Sequence, residues 1–127
     1  MGDSNNIFWI ALAAIASVAI GIGYYFRNRI TPIEKEIIRV NDITFWINNN
    51  KKGATKCYVA KVSEVPDNLL QEITKSFGVI ESPQTSLWLT LTDNEENLLR
   101  NTVIKGLSLA EDITTLLDDK EFVEITI

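Results

Sequence analysis

Apolar and polar positions divide this chain sharply. Ile7 to Phe26 carries no charge at any position. As a helix the run would be about 30 Å long, the thickness of bilayer hydrocarbon. Thr31-Pro32-Ile33-Glu34 then reads as a helix start: Thr31 caps, Pro32 fits the first turn, and Glu34 sits three after the cap. Ile33, Ile37, Val40, Ile43 or Thr44, and Ile47 recur at spacings of three and four, which predicts one apolar face of an amphipathic helix reaching about Asn48. The rival reading is a strand over Ile43 to Ile47, where Ile, Thr, Phe and Trp favour extended structure. On the helical reading, residues 1–50 form one long N-terminal helix. Its half at 1–30 is apolar all round and its half at 31–50 is one-sided. Residues 51–127 form a globular α+β head.

Within the head, Asn48 to Gly53 is a polar break. Cys57 to Val62 reads as a short strand or an ordered loop. Val65-Pro66-Asp67-Asn68 opens a helix carrying Leu69, Leu70 and Ile73, closed by Gly78. Val79-Ile80 and Ser86 to Thr92 read as two strands joined by a turn at Ser82 to Thr85. Leu87, Leu89 and Leu91 share one face of the second, a face expected to meet a helix. Thr92 to Glu96 reads as the acidic first turn of a helix bearing Leu98, Leu99, Thr102 and Val103, stopped by Gly106. Ser108 to Glu111 reads as a capping box for a helix with Ile113, Leu116 and Leu117, and Phe122 to Ile127 as a last, paired strand. The fold class expected is therefore α+β: a long N-terminal helix on a small antiparallel sheet with short helices.

The 127 residues leave about 97 outside the apolar start, enough for one small domain. Net charge is −5, and acids concentrate after Asp93. No basic stripe is available to displace counterions from phosphates, so nucleic-acid binding is not expected. One cysteine, Cys57, and no histidine remove the common zinc sets and the Ser/His or Cys/His pairs. Cys57 reads as a buried thiol, and Asp118-Asp119 as solvated acids on a turn. No enzyme activity, metal or cofactor is expected, and Tyr58 and Trp88 read as packing residues.

Membrane chemistry sets the remaining expectations. Met1 to Asn6 has only an acid, Asp3, where a cleavable signal needs a basic start. Ala13, Ser17 and Gly21 lie four apart, and Ala16, Ala19 and Gly23 make a second small-residue stripe, which suits close helix packing in an apolar medium. Arg27 and Arg29 follow the run and place the C-terminal domain in the cytoplasm by the positive-inside rule. A basic leader ahead of Met1 would reverse that orientation.

Ile10-Ala11-Leu12-Ala13-Ala14 followed by Tyr24-Tyr25-Phe26 resembles the start of a mature type IV pilin, of the type IVb group that includes bundle-forming, toxin-coregulated and conjugative pilins. Val65-Pro66-Asp67-Asn68, Ile73-Thr74, Phe77-Gly78 and Leu89-Thr90-Leu91-Thr92 resemble the loop and strand of the pilin head. The resemblance implies a structural subunit held in the inner membrane, trimmed by a prepilin peptidase, and extracted by an assembly ATPase and platform protein into an extracellular helical homopolymer. It implies subunit packing through Met1, Asp3, Asn5, Ile7, Trp9, Ala13, Ser17, Gly21, Gly23 and Tyr24. Asn5 stands where the family usually has a glutamate, with Asp3 one turn away as its substitute. Cys57 alone cannot form the family's usual disulfide. The alternative is a minor pilin or pseudopilin, or a single-pass accessory subunit whose α+β domain docks another protein.

Overall fold

The computed structural model describes residues 32–127, and their architecture departs from the expected one at the first element. Residues Ile33–Ile38 are a strand, β1, and a helix, α1, occupies only Val40–Asn50. Arg39 between them is fully extended, with φ −120° and ψ 162°. The long helix packed on an antiparallel sheet is thus overturned. Among the described residues the longest helices have 11 residues, and the sheet is mixed. The apolar half assigned to residues 1–30 lies outside the described residues. The helical spacing of Ile33, Ile37 and Val40 was coincidental. Ile38, out of phase with that stripe, is the buried one, while Ile37 is exposed. Ile33, Ile37 and Ile38 are β-branched and suit a pleated strand once a long partner strand lies alongside.

That partner is distant in sequence. The five strands lie in the order β1-β4-β3-β2-β5, with β2 at Lys56–Lys61, β3 at Leu87–Thr92, β4 at Leu98–Leu109 and β5 at Phe122–Thr126. β1 runs parallel to β4, with Ile33 opposite Ile104 and Ile38 opposite Leu109. The other neighbours are antiparallel. β1 and α1 are built into the same sheet and core as the rest of the described chain.

Residues 92–106, expected to be a helix, instead form a hairpin into β4. Asp93 Oδ1 accepts hydrogen bonds from the backbone N–H of Glu95 and of Asn97, both at 2.9 Å, and Glu96 takes φ 61°. A short acid before free N–H groups can cap a helix or close a turn. Here Leu98 to Leu109 finds strands on both sides, and the turn results. Val79-Ile80 is no strand, and a single 3-10 turn at Pro83–Thr85 leads into β3.

Helix α2, Asp67–Phe77, ends at Gly78 with φ 84°, a backbone shape that favours glycine. Helix α3, Glu111–Leu117, starts after Ala110 rather than after the expected Ser108 cap. The Val40 N–H donates to Asp112 Oδ2 at 3.1 Å, tying the first turns of α1 and α3 together. These helices sandwich the sheet. α1 and α3 pack Ile43, Trp46, Ile47, Ile113 and Leu117 on Cys57, Val59, Leu87, Leu89, Leu91 and Ile104. On the other face α2 packs Leu69, Ile73 and Phe77 on Ala60, Trp88 and Val103. The Leu face of β3 meets helices as expected. Trp88, Thr90 and Thr92 on the opposite face are also buried, so β3 is a central strand covered on both sides.

Candidate functional site

Along β4, cover on the α2 face stops between Val103 and Leu107: Val103 is fully buried, Lys105 half-buried, and Leu107 73% exposed. Beyond that line no described helix covers this face of the outer two strands, β4 and β1. A cavity of about 500 Å³ opens there. Glu34, Lys35 and Glu36 of β1 line it, with Lys105 and Leu107 of β4 and with Val79 and Glu81 from the segment after α2. Strand alternation explains why Glu34 and Glu36 share this face.

The wall of the groove is fastened to its floor. Lys105 Nζ donates to the Val79 carbonyl at 2.9 Å. Thr85 Oγ1 donates to the Gly106 carbonyl at 2.7 Å, and the Gly106 N–H donates to Ser86 Oγ at 3.3 Å. Lysine charge near the groove is therefore partly committed: Lys105 holds a carbonyl, and Lys35 lies 3.5 Å from Asp42 on α1. Among the described residues, no lysine or arginine lies within ion-pair distance of Glu34, Glu36 or Glu81. Val79, 71% exposed, and Leu107 add apolar surface beside these carboxylates. β1 is also an edge strand, with no described strand on its outer side. An open edge presents backbone N–H and C=O groups to any extended chain that comes alongside.

Other reactive groups are placed for packing. Cys57 is buried and unpaired, and burial pushes its thiol up from 9.0 to about 12, so little nucleophilic thiolate forms at neutral pH. Tyr58 is also pushed up, to about 12, by burial first and then by the Glu124 carboxylate that its hydroxyl meets at 3.1 Å. Trp88 Nε1 donates to Asn101 Oδ1 at 3.1 Å. Asp118 and Asp119 sit exposed after α3 with φ 45° and 61°, in a solvated turn. Asp93 is held below the usual carboxylate range, first by the Asn97 backbone N–H. No group of His, Cys, Asp or Glu able to hold a metal ion occurs among the described residues.

The packing residues inferred from the sequence, Met1, Asp3, Asn5, Ile7, Trp9, Ala13, Ser17, Gly21, Gly23 and Tyr24, all lie outside the described residues. Among the described residues no helix is long and apolar enough to cross a membrane. The groove residues escaped sequence reasoning because they meet only when β1 pairs with β4. The one local signal was the alternation Ile33-Glu34-Lys35-Glu36-Ile37, legible as an edge strand but equally as a charged helix turn. No family model, curated protein or solved structure matches this chain.

Proposed function

We propose that this chain is a single-pass, membrane-anchored accessory subunit whose α+β domain docks a partner protein. What supports the reading is the short sequence spacing between the uncharged run and β1. The uncharged run ending at Phe26 reaches β1 through residues 27–32 alone, and β1 is an outer strand of a sheet whose remaining strands carry a closed core. An uncharged run of that length suits bilayer hydrocarbon, and Arg27 and Arg29 favour a cytoplasmic domain. The sheet edge is then held close to the membrane, where other membrane subunits are met. The filament reading expected one helix through residues 1–50, and Ile33–Ile38 is instead a strand. It returns only as one outcome of the test.

Full-length protein with a C-terminal epitope should stay with carbonate-washed membranes, and its domain should be digested only by protease on the cytoplasmic side. Val18→Lys, which places a charge in the middle of the apolar run, should release a substantial fraction into the wash. Quantitative recovery of the unaltered chain in the wash overturns the anchor. Recovery in filaments sheared from the cell surface restores the pilus reading and removes this one.

A further inference from the structure

Resting on that reading, we infer that the partner engages the domain through an extended, basic segment. The segment would add as a sixth strand to the outer side of β1 and lay its Lys or Arg side chains over the groove. Three features of the same edge agree. First, β1 lacks an outer neighbour among the described residues, so its open side can accept main-chain hydrogen bonds. Second, Glu34, Glu36 and Glu81 present carboxylates with no described cation at ion-pair distance. Side chains on one face of an added strand recur every second residue, which matches Glu34 and Glu36 on β1. Third, Leu107 and Val79 offer apolar surface beside those carboxylates. Lysine and arginine have this dual character, an apolar stem under a cationic head.

A second copy of the chain is a poor occupant of this edge. Two-fold antiparallel pairing of β1 with itself sets same-face residues opposite one another. Centred on Lys35, it opposes Lys35 to Lys35 and Glu34 to Glu36. Centred on Glu36, it opposes Glu36 to Glu36. Centred on Ile37, it opposes Lys35 to Arg39. Like charges directly opposite are destabilising, so β1 is protected against its own kind yet open to a basic strand.

The test uses full-length protein in nonionic detergent micelles and a fluorescein-labelled peptide of alternating Lys and Val, read by fluorescence anisotropy. Saturable binding is expected, weakened about tenfold in the triple variant Glu34→Lys, Glu36→Lys, Glu81→Lys, since three exposed charges are reversed. All three side chains are exposed, so circular dichroism and thermal midpoint should match those of the parent. A peptide of alternating Glu and Val should not bind. With a ¹³C-labelled peptide carbonyl, the infrared band of the bound peptide should move to the β-sheet position. Undiminished binding by the triple variant, a bound peptide without the strand band, or no binding at all overturns the proposal. So does a dimer seen by sedimentation that the same substitutions abolish, which would assign the edge to a second copy. Because micelles are used, each outcome bears on the edge alone, while the anchor is judged separately by carbonate extraction.

Discussion

The two faces of the sheet are covered to different extents. On one, α1 and α3 lie over strands from β1 to β5, and the side chains between them run from Ile38 through Leu87, Leu89 and Val59 to Val123. On the other, α2 reaches across β2 and β3 to Val103 and no further, leaving Leu107 exposed. The α1/α3 face is complete as a core. The α2 face is a core over its inner strands and a surface over its outer ones. A domain that only had to fold could have closed both faces alike. The open quarter coincides with the outer edge of β1, unpaired among the described residues, and with three carboxylates that have no described lysine or arginine at ion-pair distance, so the asymmetry separates substitutions that damage folding from those that damage docking.

Strand β3 joins the two faces, because its side chains enter both. Trp88 and Leu89 are neighbours in sequence, point to opposite sides, and are 1% and 0% exposed. If the inner half of the α2 face is as well packed as the α1/α3 face, both truncations must be severe. Trp88→Ala should cost about 3–5 kcal/mol and Leu89→Ala about 2–5 kcal/mol, measured by urea denaturation. A loss below about 1 kcal/mol for Trp88→Ala alone would mean that α2 does not seal its half of the sheet.

A pH titration sharpens the same contrast from the sealed side. Cys57 faces α1 and α3, and its thiol is raised by burial from 9.0 to about 12. The folded state therefore disfavours the thiolate more than the unfolded state does. Stability from this group is full below pH 9, falls as pH rises through the window from 9 towards 12, and levels off above it. The slope inside the window is at most about 1.4 kcal/mol per pH unit. Tyr58, raised in the same direction from 10.0 to about 12, adds to the fall in the upper part of the window. Urea midpoints at pH 8 and pH 10 should differ in the parent and differ less in Cys57→Ala. Equal pH dependence in the two proteins would show that Cys57 is not sealed.

Legibility in the sequence followed the range of the contacts. Leu87, Leu89 and Leu91 announce a strand with a buried face, and Pro66 with Gly78 bracket α2, because alternation and caps are written within a few residues. Ile33 to Ile38 misleads because its glutamates and lysine are good helix formers, while its pairing partner, Ile104 to Leu109, lies far along the chain. The segment from Asp93 to Val103 misleads in the same way. Asp93 has a helix cap's chemistry, and only the strands flanking β4 turn it into a hairpin. Both misreadings involve β4. Since the groove is made of β4 and the strand laid beside it, the candidate site was hidden wherever the fold was. The acidic alternation at Glu34 and Glu36 was visible, but on a helix those residues would have faced different directions.

Gly106 marks the place where the two faces come closest to interfering. A Cβ there would lie 2.6 Å from Ile38 Cδ1 and 2.7 Å from the Thr85 carbonyl oxygen, one belonging to the sealed core and the other to the loop that walls the groove. Gly106→Ala must move one of them. An overpacked site costs about 1–3 kcal/mol, and a shift of the Thr85 carbonyl also disturbs the bonds that stitch Thr85 and Ser86 to Gly106. The variant should therefore lose stability by urea denaturation and also bind the Lys-Val peptide more weakly. Lost stability with intact binding would show that the strain runs into the core through Ile38 and leaves the groove wall in place.

The smallest expected change in stability is the one that isolates the open quarter. Leu107 belongs to β4, the same strand as the buried Val103 and Ile104, and a strand leucine is ordinarily a core residue. Leu107→Ser should nevertheless shift stability by no more than about 0.5 kcal/mol, because an exposed side chain gives up little on truncation. The matched substitution Val103→Ser, on the same face of the same strand but beneath α2, should cost several times more, since it places a hydroxyl in an apolar layer as well as removing methyl groups. Denaturation of the two variants side by side measures where α2 cover ends. Similar losses for both would mean that the outer half of this face is covered in solution, and the groove would cease to be a candidate docking surface. Widely different losses leave Leu107 free of any part in folding. Its contribution to peptide binding can then be read without correcting for a damaged domain.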